Sequence, residues 1–194
     1  MSKVRVYFEG DATLRPGFQH FFTSLTGDDR SRLRFVAGEA TVVRDFMIAL
    51  RKHPDSLNLL LLDCEGSAES CSLASLERRA DWRPLQGAQV RQAQVFWMVQ
   101  IMESWFLADR EALAAYYGNG FRATSLPGNP RVEEIPKADV LRGLREASRD
   151  TQKGQYHKTK HAPVLLKQID PRKVQAAAPN CRRLFDELQT CLTD

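Results

Sequence analysis

The run Leu57-Asn58-Leu59-Leu60-Leu61-Leu62 decides the fold of this chain, and Asp63 and Glu65 follow it directly. Five leucines in six positions, with no charge among them, are typical of a strand buried on both faces of a parallel sheet. Open parallel sheets bind their ligands beyond the carboxyl ends of the strands, so acidic residues there are candidate metal ligands. A carboxylate at a loop edge can equally be a solvated surface group, and one cluster alone does not decide between the two interpretations.

The amino terminus repeats this pattern. Val4-Arg5-Val6-Tyr7-Phe8 is a short β-rich run, and Glu9-Gly10-Asp11 follows it. Two strands that end in acidic residues favour a divalent-cation site at one edge of a sheet.

Strands and helices alternate over the first half of the chain, whereas the second half contains helical patterns alone. We predict strands at 4–8, 32–36, 57–62 and 93–99. We predict helices at 13–25, 41–52 and 102–117, and then at 137–149, 162–169, 171–177 and 180–191. The pattern predicts an α/β fold with a mostly parallel four-stranded sheet flanked by helices (residues 1–118). A C-terminal helical portion (residues 119–194) is expected to pack on that core within a single compact domain.

The composition is that of an ordinary globular protein, with 43% hydrophobic and 27% charged residues among 194. No apolar run approaches the roughly 20 residues that span a bilayer, and Met1-Ser2-Lys3 leads into a strand rather than a signal peptide. We therefore expect a cytoplasmic protein with no membrane partner. The four cysteines form no Cys-x-x-Cys pair, so we expect free thiols and no structural zinc.

The net charge of +4 is unevenly distributed. Residues 137–173 contain ten Lys or Arg against four acidic residues. Such a stretch is either a solvated helix face or a surface for a phosphate-rich partner such as nucleic acid. Within it, the candidate phosphate contacts lie just before a helix that we expect to begin near Ala162, with Pro163 in its first turn. These candidates are Lys158, Lys160, His157 and His161. Both histidines titrate near neutral pH and could also transfer a proton.

Several blocks of sequence resemble one family along nearly the whole chain. The most specific is Met98-Val99-Gln100-Ile101-Met102-Glu103-Ser104-Trp105-Phe106-Leu107-Ala108-Asp109, which continues to Tyr116-Tyr117-Gly118. Further blocks are Phe8-Glu9-Gly10, Leu61-Leu62-Asp63-Cys64-Glu65, Tyr156-His157-Lys158, Lys160-His161-Ala162 and Ile169-Asp170-Pro171. Together they resemble the domain of unknown function 4276 family, which is grouped with Toprim-like proteins.

The resemblance implies a Toprim-like fold, in which a glutamate after the first strand and an Asp-x-Asp pair after the third bind Mg²⁺ for phosphodiester chemistry. Glu9 matches the first position and Asp63 the start of the pair, whereas Glu65 stands where the second aspartate is expected. The longer Glu65 side chain can still bind a hard cation through oxygen, but the position of the metal would shift. The resemblance also implies an ATP-binding-cassette or AAA-type ATPase as the protein partner in a bacterial anti-phage defence system.

Glu103 and Asp109 belong to the predicted helix 102–117. Near a helix start, Glu103 is either a charge cap worth about 0.3–1 kcal/mol or, as the family signature implies, a supporting metal ligand. Asp109 lies about 240° further around the helix, so we expect it to be a cap or an ion-pair partner.

Two functions from different classes follow from these residues. The first is a metal-dependent Toprim-type nuclease acting on DNA or RNA, with Mg²⁺ or Mn²⁺ held by Glu9, Asp63, Glu65 and Glu103. The alternative is a non-catalytic interaction module that docks on an ATPase or on nucleic acid. A third interpretation is a phosphatase or nucleotide hydrolase that uses the same carboxylates, but the chain has no G-x-x-x-x-G-K phosphate loop to bind a nucleotide.

Overall fold

The computed structural model describes residues 3–26, 32–82 and 89–193. Its centre is a four-stranded, all-parallel sheet, which confirms the predicted α/β fold with a mostly parallel four-stranded sheet. The strand order is β2-β1-β3-β4. The strands are β1 (Lys3–Glu9), β2 (Leu33–Gly38), β3 (Ser56–Asp63) and β4 (Val95–Met98). Because all strands run in one direction, their carboxyl ends meet at a single edge, and Glu9 and Asp63 are the last residues of β1 and β3.

Eight α-helices are described around this sheet. They are α1 (Arg15–Thr26), α2 (Val42–Lys52), α3 (Leu73–Glu77), α4 (Arg110–Tyr117), α5 (Lys137–Ser148), α6 (Lys158–Gln168), α7 (Pro171–Ala177) and α8 (Pro179–Thr193). Helix α2 buries Val43, Phe46 and Met47 in the same cluster as Leu60 and Leu62 of β3. The helix lies against one face of the sheet, so it accounts for the burial of Leu60 and Leu62 in the leucine run.

The other half of that run faces a larger core. Leu59 and Leu61 belong to a cluster that includes Phe18, Trp105 and Leu165, so it joins the sheet to α1 and to the C-terminal helices. Alternate leucines of β3 therefore enter two different cores, and the strand is buried on both faces. Each buried leucine contributes about 1.5–3 kcal/mol relative to an exposed one.

The predicted helix 102–117 is in fact two helices. A 3-10 helix covers Met102–Ala108, and α4 begins after Asp109, whose side chain accepts a hydrogen bond of 3.3 Å from the backbone N–H of Ala112. The backbone of Asp109 (φ −126°, ψ 75°) is not helical, so the chain changes direction there. Asp109 is also 2.8 Å from the Lys173 ammonium, which confirms its prediction as a cap and ion-pair partner.

Two further predictions are corrected by the structure. Helix α6 begins at Lys158 rather than near Ala162, so Pro163 lies inside the helix instead of in its first turn. The prediction of free thiols is wrong for Cys64 and Cys71, which form a disulfide, whereas Cys181 and Cys191 remain thiols. The chain turns back after β3 and brings the two Cα atoms to 5.7 Å, a separation at which a disulfide closes. The expected cytoplasmic location favoured free thiols, but it gives no information about this local turn.

Among the described helices, none combines the length and apolar character that a membrane crossing requires.

Candidate active site

Three carboxylates meet at the carboxyl edge of the sheet. Glu9 ends β1, Asp63 ends β3, and Glu103 lies on the 3-10 helix that follows β4. The backbone N–H of Asp63 donates to Glu9 Oε2 at 3.2 Å, so the Glu9 carboxylate lies against the end of the neighbouring strand β3. The ladder between β1 and β3 fixes this approach.

Asp63 is held on two sides. Its Oδ1 accepts a 2.9 Å hydrogen bond from the backbone N–H of Met102, and its Oδ2 lies 3.5 Å from the Lys158 ammonium. Burial raises the pKa of the Asp63 carboxyl to about 7, the Lys158 charge opposes that rise, and Glu103 adds to it. Asp63 is therefore a carboxyl group whose charge at neutral pH depends on the cation beside it.

Glu103 is the most deeply buried of the three, with a side chain only 3% exposed. Its Oε1 accepts a 3.1 Å hydrogen bond from the Tyr156 hydroxyl. Its Oε2 has no hydrogen-bond partner in the described part of the chain and lies 3.7 Å from the Lys158 ammonium. A buried carboxylate oxygen without a hydrogen-bond donor is costly, so this atom is suited to receive a cation.

Lys158 joins Asp63 and Glu103. It is the first residue of α6, and its ammonium lies within 4 Å of a carboxylate oxygen of each. Burial lowers the pKa of Lys158, but the two carboxylates raise it more, so its pKa lies above the ordinary lysine value. A single positive charge therefore occupies the space between two buried carboxylates.

Glu9 has a cationic partner of its own. The Arg79 guanidinium donates to both carboxylate oxygens, at 2.8 Å and 3.2 Å. Arg79 also donates to Asp81 at 3.0 Å, and Asp81 in turn accepts a hydrogen bond from the Val43 backbone at the start of α2. The bidentate geometry fixes the orientation of the Glu9 carboxylate.

Glu65 is the most exposed of the predicted metal ligands. Its side chain is 66% exposed and pairs with the Lys137 ammonium at 2.6 Å. This hydrogen bond and charge lower the pKa of Glu65, and burial opposes them weakly. Its backbone is in the left-handed region (φ 56°), which is unusual for a residue other than glycine, and Gln100 on the adjoining segment has the same conformation (φ 63°).

The predicted phosphate contacts divide into two groups. Lys158 and the exposed His157 lie beside the carboxylates. Lys160 instead donates to the Lys153 carbonyl at 2.9 Å. His161 is only 1% exposed, its Nδ1 accepts from the His157 backbone at 2.9 Å, and its pKa is lowered by burial and by the Lys160 charge.

Two pockets open on either side of Lys158, and Asp63 and Glu65 line both. The first, of about 370 Å³, also contains Glu9, Asp11 and Glu39, and we call it the acidic pocket. The second, of about 420 Å³, also contains Glu103 together with Lys137, Arg145 and His157, and we call it the basic pocket. Neither pocket includes Lys160 or His161.

The carboxylates have the oxygen chemistry that Mg²⁺ and Mn²⁺ prefer, but cations of the protein occupy them. Within the described residues, no group of three or more His, Cys, Asp or Glu side chains is arranged to hold a metal ion as it stands. Glu103 Oε2 accepts no hydrogen bond from the described residues and the pKa of Asp63 is raised, so both favour a positive charge at this position, which Lys158 supplies. With Lys158 in place the residues do not form a metal site, and without it they would offer carboxylate oxygens to a divalent cation.

A family model described as "Domain of unknown function (DUF4276)" matches residues 11–189 of the chain. The chain belongs to the DUF4276 family. Searches of curated proteins and of solved structures found no match. The residues quoted for the family resemblance, from Asp63 to Lys158, lie within the matched range, and Glu9 lies two residues before it.

Sequence reasoning about this DUF4276 protein missed three groups that contact the carboxylates. Arg79 follows α3 in a polar stretch where no spacing links it to Glu9, and 70 residues separate the pair. Tyr156 belongs to a block quoted for the family resemblance, but no sequence pattern linked its hydroxyl to Glu103, to which it donates. Lys137 counted only as part of the basic stretch, although it pairs with Glu65.

Proposed function

We propose that this DUF4276 protein is a divalent-metal-dependent, Toprim-type nuclease that hydrolyses phosphodiester bonds in DNA or RNA. The observation that carries the proposal is the meeting of Asp63 and Glu103 at one ammonium, with Glu9 hydrogen-bonded to the Asp63 backbone. Three carboxylates at the carboxyl edge of a parallel sheet are a ligand set for a hard cation.

In this proposal Asp63, Glu103 and Glu9 hold Mg²⁺ or Mn²⁺. The ion would neutralise charge on the phosphate and acidify a bound water molecule. Lys158 would leave its position between the two carboxylates and contact the phosphate, because its long side chain starts at the amino-terminal end of α6. Arg79 would keep the Glu9 carboxylate oriented throughout.

Glu65 has a lesser role in this site. Its exposed side chain turns toward Lys137, and its backbone hydrogen-bonds to Gln100 at 2.9 Å. We therefore propose Glu65 as an outer ligand or a ligand through water, whereas Asp63 and Glu103 bind directly. The proposed nuclease would act with an ATP-binding-cassette or AAA-type ATPase partner in anti-phage defence, as the family resemblance implies.

The test is cleavage of plasmid DNA, single-stranded DNA and bulk transfer RNA in Mg²⁺ and in Mn²⁺. The wild type is compared with Asp63→Ala, Glu103→Gln and, as a control, the exposed Glu69→Gln. We expect metal-dependent cutting that Asp63→Ala and Glu103→Gln reduce at least about a hundredfold and Glu69→Gln leaves unchanged. Cutting that survives Asp63→Ala would contradict the proposal.

Metal binding is measured separately, so that a missing partner protein cannot hide the site. We expect Asp63→Ala to weaken Mn²⁺ binding at least about tenfold in a calorimetric titration, because a direct carboxylate ligand is lost. Wild-type protein that binds no Mn²⁺ and cuts no substrate, with or without an ATPase partner, would favour a non-catalytic interaction module.

A further inference from the structure

We propose that the basic pocket is the phosphate-binding side of the site, and that Lys137 and Arg145 of α5 contact the sugar-phosphate backbone of a nucleic-acid strand there. This inference deepens the proposed nuclease function and rests on it. It assigns the ligand to one of the two openings beside Lys158.

The first argument is the position of these residues along α5. Lys137, Leu141 and Arg145 are spaced by four residues, so they lie on one face of the helix, and all three line the basic pocket. Both cations therefore face the same opening, with an apolar side chain between them. That spacing places the Arg145 guanidinium and the Lys137 ammonium, which is paired with Glu65, beside successive groups of an extended polyanion.

The second argument is the difference in charge between the two pockets. Among the described residues, the acidic pocket is lined by five carboxylates and by Lys158 as its one cation. The basic pocket is lined by Lys137, Arg145 and Lys158 against three carboxylates, with His157 beside them. A phosphate group would therefore be repelled more strongly from the acidic pocket than from the basic pocket.

The third argument is the state of Arg145 itself. Its side chain is exposed, and within residues 3–26, 32–82 and 89–193 no carboxylate forms an ion pair with it. Arg142, three residues earlier on the same helix, is paired with Asp139 at 2.7 Å and does not line the pocket. Arg145 is thus a guanidinium at a pocket mouth that is available for an anion, and guanidinium groups match phosphate oxygens in a bidentate manner.

The start of α6 adds backbone donors to the same wall. His157 is the residue before the helix, and its side chain makes no capping hydrogen bond. The first N–H groups of an α-helix have no partner within the helix and attract anions. Hydrogen-bond donors at the basic pocket therefore come both from α5, through Lys137 and Arg145, and from the start of α6.

The experiment measures binding without requiring cleavage. A short fluorescein-labelled single-stranded DNA is titrated with protein and followed by fluorescence anisotropy, in EDTA and again in Ca²⁺, over a series of salt concentrations. The variants are Arg145→Ala, Arg145→Lys and, as a control of equal charge change on the same helix, Arg142→Ala. Circular dichroism verifies that each variant is folded.

We expect Arg145→Ala to weaken binding about tenfold and to reduce the slope of log K against log salt by about 0.7, the value for one phosphate contact on a single strand. Arg145→Lys should restore most of the slope, and Arg142→Ala should change neither quantity. Equal losses in Arg145→Ala and Arg142→Ala, or no loss in either, would overturn the pocket assignment.

Failure of this inference is separable from failure of the nuclease proposal. If the wild type cuts nucleic acid with metal but Arg145→Ala binds like the wild type, the pocket assignment falls and the nuclease stands. If Arg145→Ala loses binding while no form cuts in any metal, the phosphate pocket stands and the nuclease falls. Wild-type protein that binds no single strand in either buffer also overturns the pocket assignment.

Discussion

The charge balance of the site depends most strongly on the carboxyl group of Asp63. Its carboxyl group is buried next to Glu103, and the Lys158 ammonium and the Met102 backbone N–H compensate its charge. A carboxyl group in this environment resists ionisation, and the resulting free-energy cost falls when a cation binds. The same burial that makes Asp63 a candidate ligand therefore destabilises the metal-free protein.

This cost predicts a pH dependence of stability in metal-free buffer. The pKa of Asp63 is about 7 in the folded protein and near 3.8 when unfolded, so the folded state holds the proton more tightly. Stability contributed by the protonated form is complete below about pH 4 and is lost as pH rises through 7. Asp63→Asn cannot ionise. Its free energy of unfolding, relative to that of the wild type, should therefore rise by up to about 4 kcal/mol as the pH increases from about 4 to about 7.

The measurement is urea unfolding at several pH values in EDTA, with the exposed Asp55→Asn as control. Asp55→Asn should follow the wild-type curve at every pH. A constant difference between Asp63→Asn and the wild type across the range would contradict a raised pKa.

At the scale of single elements, the sequence predicted the strands well and the irregular segments poorly. Alternating and continuous apolar runs specify strands because each side chain must enter one of two cores, as Leu59 and Leu60 do. The prediction of one helix over 102–117 is wrong because Asp109 caps a second helix in the middle of this segment. The apolar periodicity continues almost unchanged across the cap, so the pattern does not reveal it. The disulfide between Cys64 and Cys71 depends on a local turn that no periodicity reports.

The disulfide should stabilise the segment that leads from β3 to α3. It joins cysteines seven positions apart, and closing so short a loop removes about 2 kcal/mol of unfolded-state entropy. We expect Cys71→Ser to lower the free energy of unfolding by about that amount in non-reducing urea. The difference should vanish in a phosphine reductant, which converts the wild-type disulfide to two thiols. Cys191→Ser, a change at a cysteine outside the disulfide, is the control. A deficit that persists under reduction would mean that the serine, rather than the lost bridge, is responsible.

On the scale of the whole molecule, the site depends on the C-terminal helices as much as on the sheet. Lys158 is 95 residues from Asp63 in sequence, and α6 brings the two together by packing on α1. The sequence indicated both ends of this contact, the acids at the strand ends and the basic stretch. It could not indicate that Lys158 rather than Lys160 enters the site, because that choice depends on where α6 begins and on its rotation against α1.

The contact between α1 and α6 is set by Gly17. A methyl group at Gly17 would lie 2.8 Å from Leu166 Cβ and 3.0 Å from the Pro163 carbonyl oxygen, so α6 would have to move. In an ordinary helix interior, Gly→Ala stabilises by up to about 1 kcal/mol, but here the clash with backbone and Cβ atoms reverses the sign. We expect Gly17→Ala to lower the free energy of unfolding by about 1–3 kcal/mol, the range for overpacking a well-filled contact.

The matched control is Gly128→Ala, because a Cβ there meets nothing within 4 Å. Gly128→Ala should leave the urea midpoint unchanged. Because α6 carries Lys158, its displacement in Gly17→Ala should also separate that ammonium from Asp63 and Glu103. Each carboxylate would then lose its compensating charge, so Gly17→Ala should lose additional stability above pH 7, where Asp63 ionises. A loss of the same size at pH 5 and pH 8 would show that the packing of α6 and the charge balance of the site are independent.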